Sequence, residues 1–357
     1  MFERITVYFN NFNYPKFLKL PKLPKHLKYP NFMPKVSINL VTWNAGKYIE
    51  NCLRSVMNQT FKDYFVLIID NGSTDETLEL LDERYPQFKV IKHKDNLGFA
   101  KAHNQAIHWT KSDYILCLNQ DVVLAPDFLA ELVGFMDQYP MAGSCSGKIY
   151  RLQDEQQTKY IDTLGLKIFK NFRVIDANSG EVDEGQYEVS DEVFGVSGAL
   201  PLYRRKALEE TLYQQEYFDE SFFSYKEDVD LAFRLRLAGW ESWRIAKAIA
   251  YHDRTVSAPA DKMTKVQVFK NRQRKSKFAN YLSYRNHLYF LAKCLPKLTV
   301  RVFLYEFVKF FYVLFFETKS LRAWIEFSRV WPILKLKRRV IWKNKKIKDE
   351  DLVKWFN

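Results

Sequence analysis

The chain has 357 residues, 47% hydrophobic and 16% aromatic, which is enough for one large α/β domain with an appendage. An acidic centre (residues 36–260, net −10) carries basic flanks (residues 1–35 and 261–357, together +23), and this asymmetry indicates contact with a polyanion, either nucleic acid or an anionic membrane. The four cysteines fit no zinc site or redox pair, and the N-terminus lacks an apolar signal stretch, which favours a reduced cytoplasmic protein over a secreted one.

Residues 1–35 form a basic, proline-rich arm. Lysines recur at every third position from Lys16 to Lys28, between prolines. A polyproline II helix has three residues per turn, so these lysines would share one edge and could lie on anionic headgroups. A disordered extension that is merely basic is the alternative.

From Val36 the pattern is that of alternating strands and helices. Strands are predicted at 36–43, 65–70, 89–93 and 114–119, and helices at 48–59, 74–85 and 99–109. This alternation predicts a mostly parallel sheet flanked by helices, with ligands bound beyond the carboxyl ends of the strands. Residues 150–192 are polar and predicted irregular, with short possible strands. Strand character returns at 191–204, a helix is predicted around 233–239, and a last strand at 243–252.

The tail, residues 261–357, is basic and aromatic. The apolar run 302–316 is too short to span a bilayer and is interrupted by Glu306 and Lys309. It fits a helix lying in a membrane interface, with aromatic residues inward and charged residues outward. A helix packed on the domain's own surface is the alternative.

Polar residues cluster where the predicted strands end. Asp70 leaves the second strand and can accept a hydrogen bond from a pyrimidine ring N–H, while Ser73 or Thr74 can cap the following helix. Asp121 ends the fourth strand and is a natural ligand for Mg²⁺ or Mn²⁺, which would neutralise a diphosphate leaving group. The alternatives are purely structural roles: a turn with a helix cap at Asp70, and a helix cap at Asp121.

A second group of titratable residues lies later in the chain. Asp228 opens a helix whose dipole keeps carboxylates ionised, and it fits a base that deprotonates an attacking hydroxyl, with Glu227 as its positioning partner. His252 ends the last strand and could complete a metal shell. Ordinary helix-start acids and a structural histidine are the alternatives.

Six motifs occur together in one run: DNGSTD, NLGFAKAHNQAI, NQD, VSGALPLYRR, FDESFFSYKEDVDLAFRLRLAGW and YHDRTVS. As a set they resemble the family 2 glycosyltransferases with the GT-A fold, most closely their rhamnosyltransferase-like branch, over about residues 36–292, including the segment NYLSYRNHLYFLAK. The resemblance implies a GT-A catalytic domain at 36–260 that transfers a sugar with inversion from a nucleotide diphosphate sugar.

The resemblance also implies roles for individual residues. Asp228, with Glu227, matches the catalytic pair, and Asp121 and His252 match the metal-binding positions. The positions that match nucleotide-sugar binding are Thr42, Asn44, Asp70, Asn96, Gly98, Asn104, Asn119 and Gly198. Asn119 replaces the first Asp of the family's DxD motif, which weakens the metal site on charge grounds.

The substrates are expected from the same resemblance. The QxxRW motif and membrane spans of the processive synthases are absent, which favours transfer of a single sugar. The branch points to dTDP-rhamnose as donor, with UDP-hexoses as the alternative. A saccharide acceptor on a polyprenyl lipid, met at the inner face of the cell membrane, would explain the basic and aromatic flanks.

Three other functions compete with this prediction. A nucleic-acid-binding protein is suggested by the basic flanks but opposed by the acidic centre, so no nucleic-acid partner is expected. A non-catalytic nucleotide-sugar-binding protein is opposed by the presence of Asp121, Asp228 and His252. A sugar nucleotidylyltransferase would need a glycine-rich, arginine-containing loop after the first strand, and residues 42–46 do not match one.

Overall fold

The computed structural model describes residues 34–153, 155–253 and 276–356. The arm predicted over residues 1–35, except its last two residues, and the predicted boundary near 260 lie outside them. The described strands are β1 Val36–Thr42, β2 Tyr64–Asp70, β3 Lys89–Lys92, β4 Tyr114–Asn119, β5 Val122–Leu124, β6 Ala142–Gln153, β7 Gln156–Thr163, β8 Leu166–Ile168, β9 Val174–Asp176, β10 Asp191–Glu192, β11 Leu202–Arg204 and β12 Glu241–His252. The described helices are α1 Ile49–Met57, α2 Thr77–Arg84, α3 Phe99–Trp109, α4 Phe128–Gln138, α5 Arg205–Glu210, α6 Glu227–Leu237, α7 Lys277–Cys294, α8 Val300–Phe316, α9 Arg322–Lys343 and α10 Asp349–Val353.

A central sheet in the order β10-β12-β6-β11-β4-β1-β2-β3 organises the described part of the chain. The β4-β1-β2-β3 half is parallel throughout, and β12 also runs parallel to β6. The short strand β11 runs antiparallel between β4 and β6 and joins the two parallel parts. The fold is therefore mixed α/β with mostly parallel strands, as the alternation of strands and helices predicts.

Helices cover both faces of this sheet because its central strands are apolar on both sides. Residues Val36 to Leu40 of β1 are all buried, and one face packs against α1 and α4. The other face packs against α3 and α6, through residues such as Ile115 and Leu231. Parallel strands β1, β2 and β4 end at the same edge of the sheet, where the polar motifs of the sequence follow them.

The segment predicted to be irregular, residues 150–192, contains more regular structure than expected. Strand β6 extends to Gln153 and β7 follows it as an antiparallel partner of eight residues. The strands were not predicted because the side chains of this segment are mostly polar. Strand β7 exposes its first half and buries only residues 161–163. Conversely, the predicted strand character at 191–204 is limited to the short β10 and β11.

Three long helices follow the central sheet in sequence. Helix α7 packs against α6 through Phe290 and Phe233, whose ring centroids are 5.8 Å apart. In α8 the apolar and the charged residues lie on different sides of the helix, and that the apolar side meets a membrane interface stays a prediction. Glu306 contacts His287 of α7 at 2.6 Å and Lys309 stacks on Tyr284, so the charges face the protein and apolar side chains face outward. Among the described helices, none is long and apolar enough to cross a bilayer.

Candidate active site

The ends of β1 and β2 hold a buried carboxylate in a fixed orientation. Asp70 Oδ2 accepts hydrogen bonds from Thr42 Oγ1 at 3.1 Å and Ser73 Oγ at 2.5 Å, and Asp70 Oδ1 accepts from the N–H groups of Gly72 and Ser73. Both Thr42 and Asp70 are fully buried. Thr42 and Asp70, which the sequence places at the ends of adjacent strands, are in direct contact, and this contact holds the two strand ends together.

The loop after β1 contacts the loop after β2 through Asn44. This residue has a positive φ of 50°, its N–H donates to Ser73 Oγ, and its side-chain Oδ1 accepts from the N–H of Thr74 at 2.9 Å. The prediction that Ser73 or Thr74 caps the next helix is wrong. Asp75 instead accepts from the N–H of Thr77, the first residue of α2.

The loop before α3 is tightly closed around Gly98. Asn96 Oδ1 accepts from the Gly98 N–H at 2.8 Å, and Gly98 has a φ of +82°. A Cβ at this position would lie 2.5 Å from the carbonyl oxygen of Phe223, so only glycine fits. Asn104, inside α3, is buried and exchanges hydrogen bonds with the backbone of Phe218. Its contacts are therefore with the protein, one turn beyond the loop predicted to bind nucleotide.

Backbone and amide contacts connect the end of β4 to its neighbours. The N–H of Asn119 donates to the carbonyl of Ala199 at 3.1 Å. The Gln120 side chain accepts from the N–H of Trp43 and donates to its carbonyl. The Asn119–Asp121 motif is thus joined to the β1 end on one side and to the segment containing Gly198 on the other.

Asp121 and His252 face each other across a potential metal site. Strand β5 pairs with β12, with Val122 opposite His252, and this register places Asp121 Oδ1 3.3 Å from His252 Nε2. The other ring nitrogen, Nδ1, lies 2.9 Å from Oδ2 of the fully buried Asp162 in β7. A carboxylate behind an imidazole fixes its tautomer and aims the second nitrogen at a ligand.

This donor set fits a divalent cation that is completed by other oxygen ligands. Among the described residues no group of three or more His, Cys, Asp or Glu side chains is arranged to hold a metal ion by itself. One carboxylate and one imidazole suit an ion that takes its remaining ligands from diphosphate and water. Burial lowers the pKa of His252, but hydrogen bonds and charge from Asp121 and Asp162 outweigh burial and raise that pKa to about 9.

The third element of the site is the start of α6. The Asp228 carboxylate is half-buried, its Oδ2 accepts the N–H of Gly198 at 2.9 Å, and its Oδ1 accepts the N–H of Val229. Each oxygen keeps a further lone pair. Glu227, its neighbour, is 5% exposed, and its Oε2 contacts no hydrogen-bond donor among the described residues.

The environment of these two carboxyl groups raises their pKa values. For Asp228, burial is the main cause, Asp176 adds to the rise, and the N–H groups of Gly198 and Val229 act in the opposite direction. For Glu227, burial and the adjacent Asp228 raise the pKa well above its ordinary value. A carboxyl group whose pKa is raised in a cleft is suited to accept a proton near neutral pH.

The backbone that leads into α6 adopts an uncommon conformation. Phe223, Tyr225 and Lys226 have φ values of 64°, 71° and 70°, and none is glycine. Left-handed conformations of this kind cost about 1–3 kcal/mol each and persist only where surrounding contacts hold them. They concentrate at functional sites, and here they immediately precede Glu227 and Asp228.

The structure brings the predicted residues to one edge in a connected order. Thr42 contacts Asp70, the segment Asn119–Asp121 contacts Trp43 and Ala199, Gly198 contacts Asp228, and Asp121 contacts His252. Sequence reasoning missed Asp162, because it lies in a segment predicted to be irregular. Residues 161–163 are consecutive buried positions, so no alternation of buried and exposed residues marks Asp162 in the sequence.

Comparison with known proteins agrees with this arrangement. Residues 37–212 match the family described as glycosyl transferase family 2. The N-acetylglucosaminyl-diphospho-decaprenol L-rhamnosyltransferase of Mycobacterium tuberculosis is 29% identical over 242 residues, which cover 62% of this chain and 76% of the relative. The family match, residues 37–212, ends before Asp228 and His252.

Solved structures share the fold. S. aureus TarS 1–349 in complex with UDP-GlcNAc superposes with a TM-score of 0.52 at 16% identity, over 87% of this chain and 89% of that one. GalNAc-T7 with UDP, GalNAc and Mn²⁺ gives a TM-score of 0.52 at 14% identity, over 73% of this chain and 52% of that one. The predictions of family and fold are confirmed: this chain is a family 2 glycosyltransferase with the GT-A fold, rhamnosyltransferase-like in sequence.

Proposed function

We propose that this enzyme transfers one sugar, with inversion, from a nucleotide diphosphate sugar to a saccharide acceptor, and that Asp228 is the base. The observation that carries the proposal is the contact between Asp228 Oδ2 and the Gly198 N–H, which orients the carboxylate at the edge occupied by Asp121. The alternative of a non-catalytic sugar-nucleotide-binding protein leaves this half-buried, oriented carboxylate without a purpose.

The chemical step is a single displacement. Asp228 accepts the proton of an acceptor hydroxyl as that oxygen forms a bond to the anomeric carbon, while the bond from that carbon to the diphosphate oxygen breaks. The electron pair leaves with the nucleoside diphosphate, and the configuration of the sugar inverts because attack comes from the opposite face. Glu227, buried beside the base, is the positioning partner of Asp228.

Asp121 and His252 would hold a divalent cation, Mg²⁺ or Mn²⁺, against the diphosphate. The cation supplies charge neutralisation for the departing diphosphate. Asp162 orients the imidazole of His252 so that Nε2 faces the site. That GalNAc-T7 was crystallised with UDP and Mn²⁺ supports a cation of this kind in the shared fold.

The donor is proposed to be dTDP-rhamnose, because the mycobacterial relative is named as an L-rhamnosyltransferase. We assign Asn44, Asn96 and Gly98 to the base end of the donor, with the buried pair Thr42 and Asp70 behind them. Asn119 lies on the diphosphate side. A UDP-hexose is the competing donor, supported by TarS in complex with UDP-GlcNAc.

The acceptor is proposed to be a saccharide joined through a diphosphate to a polyprenol, as in the name of the mycobacterial relative. Such an acceptor lies in a membrane. Exposed apolar residues of α8, including Phe303 and Phe307, and exposed basic residues of α9, including Lys335 and Arg339, supply the two attractions that peripheral binding needs. The enzyme would then act at the cytoplasmic face, as a step of cell-surface polysaccharide synthesis.

Donor and acceptor can be tested together. The purified protein is titrated with dTDP-rhamnose, UDP-glucose, UDP-galactose and UDP-N-acetylglucosamine, with and without Mn²⁺, and thermal stabilisation is followed. The stabilising donor is then incubated with a short-chain polyprenyl-diphosphate N-acetylglucosamine, and the anomeric configuration of the product is determined by NMR.

We expect cation-dependent stabilisation by one donor and a single added sugar of inverted configuration. Asp228→Asn should reduce kcat by about 10²- to 10⁴-fold, the usual contribution of a general base, while the donor still stabilises the protein. Turnover that survives in Asp228→Asn would remove the base assignment. Donor binding without turnover in the unmodified enzyme, with every acceptor tried, would favour the non-catalytic alternative.

A further inference from the structure

Helix α7 contacts the strained segment that precedes the catalytic helix. The side-chain Nδ2 of Asn286 lies 2.9 Å from the carbonyl oxygen of Phe222, 2.8 Å from that of Ser224 and 2.7 Å from that of Tyr225. Asn286 is fully buried. One amide group, with two N–H donors, therefore contacts three carbonyl oxygens of this segment.

Arg285, the preceding residue, contacts the same segment from the side. Its Nη2 donates to the carbonyls of Ser221 and Phe222, both at 3.0 Å, and its Nε donates to Asn286 Oδ1 at 3.0 Å. Glu326 of α9 lies 3.4 Å from Nη1 and holds the guanidinium from behind. The contact with Arg285 also fixes the Asn286 amide, since the flipped amide would present its oxygen to carbonyl oxygens.

The held segment links the two halves of the active site. The carbonyl of Phe223 in this segment accepts the N–H of Ala100, which lies in the first turn of α3, two residues after Gly98. Its last residue, Lys226, accepts the N–H of Asp230 and so starts the helix that carries Asp228. A change in this backbone would therefore move the nucleotide loop and the base relative to each other.

The positive φ values at Phe223, Tyr225 and Lys226 explain why external support is needed. Non-glycine residues avoid this conformation, and the segment itself supplies few donors for its own carbonyls. Arg285 and Asn286 supply these donors from a helix that lies beyond the matched family range, residues 37–212.

We propose that Arg285 and Asn286 are positioning residues for the transfer reaction, which hold residues 221–226 so that Asp228 is aligned with the acceptor hydroxyl. The inference rests on the proposed function, in which Asp228 is the base. The C-terminal helices thereby complete the active site, in addition to any contact they make with a membrane.

Two variants and one matched control test this role. Asn286→Leu keeps the side-chain volume and removes the donors, and Arg285→Lys keeps the charge but cannot serve two carbonyls and Asn286 together. Arg338→Lys is the control, because Arg338 also donates to backbone carbonyls of α7 and its linker, those of Lys293 and Leu295, about two helical turns beyond Asn286.

Hydrogen exchange measured by mass spectrometry gives the first readout, which does not require turnover. We expect faster exchange in peptides covering residues 219–230 in Asn286→Leu and Arg285→Lys, with peptides from α4 unchanged, and no such change in Arg338→Lys. Should Asn286→Leu fail to fold, Arg285→Lys carries the test alone. Unchanged exchange at 219–230 in the folded variants would overturn the proposal.

Steady-state kinetics give the second readout. We expect kcat to fall about 10- to 100-fold in both variants, as for a misplaced catalytic group, while the donor dissociation constant changes less than about threefold. Equal losses of kcat in Arg338→Lys would mean that the helices act through stability alone, and wild-type kcat in Asn286→Leu would also overturn the proposal. Loss of the proposed function is distinguished by Asp228→Asn, which remains active only when the base assignment itself is wrong.

Discussion

The N–H of Gly198 donates to the Asp228 carboxylate at 2.9 Å, so a segment between two strands orients the side chain at the start of α6. Space at this contact is limited. A Cβ added to Gly198 would lie 3.2 Å from the Cβ of Asp228 and 3.3 Å from its Oδ2, which is tighter than ordinary van der Waals contact. The Gly198 N–H thus holds the Asp228 carboxylate by a hydrogen bond, and the backbone of Gly198 limits the space beside it.

Gly198→Ala should therefore impair catalysis more than folding. We expect kcat to fall about tenfold or more, because a displaced base loses alignment with the acceptor. Gly134→Ala is the matched control: a Cβ there meets no atom within 4 Å, and alanine within α4 should stabilise the protein by about 0.5–1 kcal/mol. Equal kcat in the two variants would show that the Gly198 contact does not orient the base.

The pH dependence of kcat should report the raised pKa of Asp228. The base acts as the carboxylate, so activity is complete well above this pKa and is lost as the pH falls through it. Because burial raises the pKa, we expect the acid limb of kcat to lie above about 3.9, the ordinary value for Asp. Asp176→Asn removes a negative charge that adds to the rise and should move the limb to lower pH. A limb unmoved by this change would contradict the assignment of the limb to Asp228.

Cation binding should depend on Asp162 although it faces away from the ion. Asp162→Asn removes the carboxylate behind His252 Nδ1 and leaves Asp121 and the imidazole in place. Losing such a partner typically costs about 10- to 100-fold in metal affinity. Mn²⁺ would be titrated in the presence of the nucleoside diphosphate. Asp137→Asn is the control, because Asp137 forms a surface ion pair with Lys35. Unaltered Mn²⁺ affinity in Asp162→Asn would place the cation away from His252.

The sequence predicted the parallel half of the fold closely. Helix α3 and strand β4 have the predicted bounds, because each is a continuous apolar or periodic run that is closed by a polar residue. Strands β6 and β7 were harder to predict, since β7 lies at the side of the sheet and buries only part of its length. Its partner β6 is adjacent in the chain, but β7 shows no alternation of buried and exposed positions that would predict a strand.

The site was predictable where it depends on strand ends and not where it depends on tertiary contacts. Asp70, Asp121 and His252 follow strands, so the sheet alone brings them together. Asp162 and Asn286 act through partners about 60 to 90 residues away, and no local pattern reports such a partner. The partners of Glu306 and Lys309 on α7, His287 and Tyr284, are likewise distant in sequence and could not be read from the run 302–316.

Through a buried ionic cluster, the tail helices α7 and α9 should contribute to the stability of the catalytic domain. Lys293 of α7 is 1% exposed and contacts Asp219 and, at 2.6 Å, Asp230 of α6, while Lys337 of α9 contacts Asp219. Burial would raise the pKa of Asp219, but the two ammonium groups outweigh burial and hold that pKa well below its ordinary value.

Removal of one charge from this cluster should be costly. We expect Lys293→Met to lower the free energy of unfolding by about 3–5 kcal/mol, since it leaves buried carboxylates uncompensated. Lys345→Met, which breaks the exposed pair with Asp349, should cost under about 1 kcal/mol. Urea unfolding would measure both. Similar small losses would mean that the tail helices contribute little to the stability of the sheet.

The outward face of α8 should bind anionic bilayers. Its exposed apolar residues recur at helical spacing and form one stripe: Val300, Phe303, Leu304, Phe307, Val308, Phe311 and Phe315. Exposed basic residues lie beside it in the sequence and on α9. A contiguous apolar stripe bordered by positive charge matches the hydrocarbon and headgroup layers of an anionic membrane better than it matches water.

The double variant Phe307→Glu/Val308→Glu tests this match. Burial of each of these side chains contributes about 1.5–3 kcal/mol, so binding to phosphatidylglycerol vesicles should weaken at least about tenfold in a sedimentation assay. Val189→Glu, on an equally exposed apolar residue of the catalytic domain, should bind as the unmodified enzyme does. A wild-type protein that ignores vesicles but dimerises, and that becomes monomeric in the double variant, would identify a second copy of the chain as the partner of the stripe. Vesicle binding that requires α8 and also weakens with added salt would instead show that the apolar stripe and the basic residues form one membrane-binding surface. Binding through the apolar stripe alone would not depend on ionic strength, and binding through the basic residues alone would not change in the Phe307 variant.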